Sequence, residues 1–120
     1  MKLSSHLCTF NHLLKHQIMQ WYQYIAVLFS GLFLCNAVPH FVAGICGNKF
    51  PTPFAKPPGK GLSSAPVNVI WGLFNIVIGY LLYTVAPIDR VHPVNLIVFF
   101  VGVVAMGLML GNHFQHKDKE

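Results

Sequence analysis

The chain has 120 residues, of which 54% are hydrophobic and only 9% charged, with a formal charge of +5. Soluble domains carry about 25% charged residues, so a soluble fold of this length would leave too much apolar surface in water. The eight Lys and Arg residues are scattered without a basic face, which argues against a nucleic-acid partner, whereas basic residues flanking apolar runs fit a lipid bilayer. Cys8, Cys35 and Cys46 are odd in number and form no Cys-x-x-Cys pair, so they read as small hydrophobes rather than a disulfide frame or a metal knuckle. Composition therefore predicts a single integral membrane domain, all-α, over residues 1–120.

In residues 1–21, Leu7, Phe10, Leu14, Ile18 and Trp21 recur at three- and four-residue steps, the pattern of an amphipathic helix lying on a membrane surface. His12 and His16 stand at i and i+4; a wet polar face explains them more simply than a metal pair. Met19 directly precedes the interfacial cluster Trp21-Tyr22-Gln23-Tyr24, so residues 1–18 also read as an extension upstream of a start at Met19.

The first predicted span is 24–46. It carries no charged side chain and exceeds the ~20 residues needed to cross ~30 Å of hydrocarbon. Trp21, Tyr22 and Tyr24 supply an aromatic belt at its start. Pro39 lies inside it. Because Phe41, Val42 and Ile45 continue the apolar run, a kinked helix is preferred to one that ends near Val38 and re-enters as irregular chain. The connector from Gly47 to Pro66 holds five prolines and three lysines, so the loop 47–64 is expected to be stiff and folded back over the helix ends. Its Gly59-Lys60-Gly61 lacks the upstream glycine and following Ser/Thr of a phosphate-binding loop.

The second span, 65–86, opens with Ser64 as a candidate N-cap and Pro66 in the first turn. Asn68, Gly72, Asn75 and Gly79 then fall on one stripe, the kind of small and amide face along which membrane helices approach and bond. Leu73, Ile76, Val77 and Leu81 lie opposite, toward lipid or a partner. Residues 87–93 form a short connector, and the third span, 94–111, contains a Gly107-x-x-x-Gly111 spacing suited to close packing. Residues 112–120 form a polar tail.

Two antiparallel spans that share one connector have depths countable from it at about 1.5 Å per residue. That count pairs Asn36 with Asn75, and His40 with Trp71 or Gly72, with Gly72 leaving room for the imidazole. Asn36, Pro39, His40, Asn68, Trp71, Gly72 and Asn75 are thus the candidate structural or binding residues, expected to act as a polar clasp. No residues are assigned as catalytic or metal-binding and no cofactor is predicted. For orientation, Lys49, Lys56, Lys60, Lys117 and Lys119 lie on one side and Lys2, Lys15 and Arg90 on the other. Basic loops stay cytoplasmic, which puts the N-terminus outside and the first connector and C-terminus inside a bacterial inner membrane.

Several stretches together, Asn36-Ala37-Val38-Pro39-His40-Phe41-Val42-Ala43-Gly44-Ile45, Phe50-Pro51-Thr52-Pro53-Phe54-Ala55, Pro57-Pro58-Gly59-Lys60-Gly61-Leu62-Ser63-Ser64 and Asn68-Val69-Ile70-Trp71-Gly72, resemble a group of small uncharacterised bacterial integral membrane proteins. The resemblance covers roughly the middle half of the chain, implies a membrane location and carries no mechanism.

Three functional readings follow. A non-enzymatic accessory or scaffold protein, homo-oligomeric or joined to a larger membrane protein, is favoured because no span contains the Asp, Glu, Lys or Arg that marks proton relays and ion paths. An oligomeric transporter or channel would use the amides of Asn36, Asn68 and Asn75. A haem, metal or quinone site would use His40 and His113, which both lie toward the connector side.

Overall fold

The computed structural model describes residues 2–17, 19–86 and 93–119, without the side chains of 12–17. The connector expected at 87–93 therefore lies, except for Pro93, outside the described residues. So do the side chains of His12 and His16.

Among the described residues there are four helices and one short ribbon: α1 (Lys2–Gln17), α2 (Trp21–Ile45), β1 (Phe50–Pro51), β2 (Leu62–Ser63), α3 (Ala65–Val85) and α4 (Pro93–Phe114). Three of them, α2, α3 and α4, are long and apolar enough to cross a membrane. At ~1.5 Å per residue, the 25 residues of α2 exceed the ~30 Å thickness of bilayer hydrocarbon. The first and last of these helices are longer than expected: α2 begins at the aromatic belt and α4 continues through Phe114. Pro39 does not end α2, which is helical on both sides of it, so the re-entrant alternative is excluded.

Helix α2 is the centre of the molecule and packs against both α3 and α4. Against α3 the contact is antiparallel. The buried residues of α3 are Asn68, Gly72, Asn75 and Gly79, the predicted small and amide stripe, while Leu73, Val77 and Leu81 are exposed. Ser30 Oγ donates to the carbonyl of Gly79 at 2.8 Å, and Gly44 lies against Ala65 and Val69, so the contact spans most of both helices. Gln23 ties the far end: its Oε1 accepts the Gln20 N–H, and its Nε2 donates to the carbonyl of Val85.

Against α4 the close approach is made by two glycines that the sequence did not single out. A side chain at Gly31 would strike the backbone of Phe99 and Val103, and one at Gly102 would strike Leu28 and Leu32. The predicted Gly107-x-x-x-Gly111 pair makes no such contact. Gly111 has nothing near it, and Gly107 meets only Cys35 Sγ at 3.7 Å.

The connector folds back and contains regular structure. β1 and β2 pair antiparallel, Phe50 opposite Ser63 and Pro51 opposite Leu62. Thr52 is buried beneath the loop, bonds through its Oγ1 to Ser63 Oγ, and accepts the N–H groups of Ala55 and Gly59 at its carbonyl. The chain after α4 closes the same end, where the Asp118 N–H donates to the carbonyl of Lys60 and the ammonium of Lys117 lies 5.5 Å from the centre of the Phe50 ring. Helix α1 has only exposed side chains over its described part, Lys2–Asn11, which includes the apolar Leu3, Leu7 and Phe10.

Candidate functional site

At the connector end, α2, α3, α4 and the ribbon converge on His40, which is only 3% exposed. Asn68, fully buried one helical turn above the start of α3, decides how His40 is held. Its Nδ2 is surrounded by three carbonyls, those of Phe50 at 2.9 Å, Ser64 at 3.1 Å and Ser63 at 3.2 Å. Carbonyls only accept, so this end must be the NH₂ group, with its two hydrogens shared among three acceptors. Asn68 Oδ1 then faces His40 Nδ1 at 3.0 Å. A carbonyl oxygen cannot donate, so His40 carries a proton on Nδ1 there. When the ring is neutral, Nε2 is a bare acceptor.

Aromatic edges pack around the imidazole. Phe50, Phe114 and Trp71 have centroids 5.4, 6.1 and 6.4 Å away, each at a steep interplanar angle. Trp71 in turn stacks on Phe74 and meets Phe54 edge-on. One turn before His40 on α2, Asn36 Nδ2 donates to Asn75 Oδ1 at 2.9 Å, and Asn75 Nδ2 donates to the carbonyl of Trp71 at 2.8 Å. His113, near the end of α4, bonds through Nε2 to the carbonyl of Gly59 at 2.8 Å, so that nitrogen carries its proton. Gly59 has φ of 70°, a conformation side chains rarely adopt, and it turns the loop onto His113.

A cavity of about 160 Å³ opens beside these groups. Asn36, His40, Trp71 and His113 line it, with Pro51, Thr52, Pro53, Gly59, Leu110 and Phe114 completing the wall.

Asn36, His40, Asn68, Trp71 and Asn75 are thus brought together. Pro39 is not among the residues lining the cavity and forms part of a separate groove with Lys49, Lys117 and Lys119. Gly72 departs from expectation. The space at its missing side chain is filled by the backbone and Cβ of Phe41, so it sets helix separation and makes no room for His40. The imidazole is instead held by Asn68, one turn nearer the connector. Phe50, Thr52 and Phe114 were not foreseen, and only the high aromatic content near the connector hinted at them. Asn95, at the start of α4, is 1% exposed, and among the described residues neither of its amide atoms has a hydrogen-bond partner.

No family model, curated protein or solved structure matches this chain.

Proposed function

We propose that this is a multi-pass membrane protein that acts as a non-enzymatic accessory or scaffold subunit. The observation that carries this reading is how its polar helix residues are used. Ser30, Asn36, His40, Asn68 and Asn75 all bond within the chain, across or along the contact of α2 and α3. Intramembrane polar groups spent on helix contacts fix register rather than move solutes. No Asp, Glu, Lys or Arg falls within α2, α3 or α4. The outward faces are broad and apolar, with Leu96, Ile97, Phe100, Val101 and Val104 exposed along α4, as suits lipid or a neighbouring helix.

In this reading all three long helices cross a bacterial inner membrane, α1 lies on its outer surface, and the ribbon and C-terminus are cytoplasmic. The transporter alternative loses support because Asn36 and Asn75 face each other and Asn68 faces three carbonyls. Haem ligation by both imidazoles through Nε2 does not fit, since His113 Nε2 is occupied by Gly59 and the cavity is smaller than the ~300–1,000 Å³ usual for sites that enclose larger ligands. Crosslinking in native membranes, followed by identification of what is captured, tests the proposal. A reproducible partner, or a second copy, is expected; a protein that is always alone and monomeric, in membranes and in mild detergent, opposes it.

A further inference from the structure

The scaffold reading leaves one nitrogen of the polar centre unexplained. His40 is almost wholly buried and its Nδ1 is held by Asn68, yet no described residue bonds to its Nε2. Asn68, on the Nδ1 side of the ring, does not line the neighbouring cavity, whereas His40 itself does. Nε2 thus keeps some access and is the ring nitrogen left to take a partner from the cavity side.

The walls restrict what that partner can be. With the Nδ1 proton directed at Asn68, neutral His40 offers only a lone pair, so its partner must donate a hydrogen bond. A fully deprotonated anion cannot do so, and no Lys or Arg lines the cavity to attract an anion of any kind. A metal ion would find two imidazoles, one of them engaged with Gly59. Among the described residues no group of three or more metal-binding side chains exists, where zinc sites use about four ligands. Besides Asn36, Thr52 and Gly59, the remaining walls are rings and aliphatic groups, namely Trp71, Phe114, Pro51, Pro53 and Leu110. The volume of about 160 Å³ is close to that of cavities known to hold one benzene ring, roughly 150 Å³. Apolar walls around a few aimed polar groups are the usual form of a small-molecule site.

We propose that this cavity binds the ring of a small hydroxyl-bearing aromatic molecule, of phenol or quinol type, whose hydroxyl donates to His40 Nε2. The inference goes beyond the scaffold reading and does not depend on it. The ring packs between Trp71 and Phe114, and the amide of Asn36, anchored to Asn75, borders the same space.

The test uses the full chain in lipid nanodiscs with ¹⁵N-labelled histidine, followed by NMR. Phenol is the probe, and anisole, the same ring without a donor, is the control. The expected result is a Nδ1-protonated His40 whose Nε2 signal shifts saturably with phenol, with anisole about tenfold weaker, as one neutral hydrogen bond allows. Leu110→Trp, which fills the cavity from α4 without touching the His40–Asn68 bond, should abolish the shift while the Nδ1–H signal persists. Should that variant fail to fold, Leu110→Phe serves the same purpose with less added volume. A proton on Nε2, no saturable shift with phenol, equal binding of anisole, or phenol binding unchanged in a folded filled variant would each overturn the proposal.

Discussion

Asn36 and Asn75 are joined side chain to side chain at 2.9 Å, midway along two antiparallel helices. Moving four residues forward along α2 to His40 corresponds to moving four back along α3 to Trp71, whose ring centre lies 6.4 Å from the imidazole. One amide pair thus sits in register with the polar centre of the connector end.

Asn75→Leu leaves the Asn36 amide without its acceptor. Membrane amide pairs contribute about 0.6–2 kcal/mol, so thermal unfolding in detergent should show a loss of that size. A double variant with Asn36→Leu should recover part of it, giving a measurable coupling energy. Strictly additive losses would mean that the pair is geometry without energetic consequence.

Asn68→Ala should cost more than Asn75→Leu. It strips His40 Nδ1 of its acceptor and removes the amide donor from the carbonyls of Phe50 and Ser63, while the Ser64 carbonyl keeps the backbone N–H of residue 68. Unpaired buried polar groups each cost about 1–3 kcal/mol. Proteolysis within residues 53–60 should accelerate in this variant, because its ribbon loses the side chain that clamps both strands; an unchanged cleavage rate would refute the clamp.

Gly102→Leu should destabilise strongly, at or beyond the upper end of the ~1–3 kcal/mol usual for overpacking, since backbone and not a yielding side chain stands in the way. Gly111→Ala should be neutral or slightly stabilising, as nothing lies near that position and alanine favours a helix. Melting temperatures of the two variants in one detergent decide the matter, and equal losses would contradict the packing of α2 on α4.

These positions also show what could be read without coordinates. The α3 stripe was legible because two asparagines and two glycines at helical steps are a costly choice in an apolar helix, and shared attachment to one connector fixed their depth. The approach of α4 was not legible. Its decisive glycines, 31 and 102, stand singly among bulky residues, while the conspicuous Gly107-x-x-x-Gly111 spacing is unused in the chain. The ribbon was hidden too, because each strand is two residues long, one contains a proline, and a side chain from the next helix holds them together. The count placed His40 at the right depth and beside Trp71 but missed its hydrogen-bond partner Asn68, since a count by rise ignores that an asparagine side chain reaches across a turn.

Removing residues 2–17 should leave the melting temperature of the remaining chain unchanged, because the described side chains of α1 bury nothing. A drop of several degrees would show that the helix supports the body.

A cysteine at Lys56, introduced after Cys8, Cys35 and Cys46 are replaced, should resist membrane-impermeant thiol reagents in intact cells and react after lysis. Ready labelling in intact cells would invert the proposed orientation.

The walls of the His40 cavity come from α2, the ribbon, α3 and α4, and the latch at its rim is His113 on Gly59. During synthesis at the ribosome, His40 emerges more than seventy residues before His113. Until the last helix docks, the imidazole has its amide partner but neither the Phe114 edge nor the α4 wall. The pocket is therefore assembled only once α4 has docked, and a product truncated before α4 would lack the Leu110, His113 and Phe114 side of it.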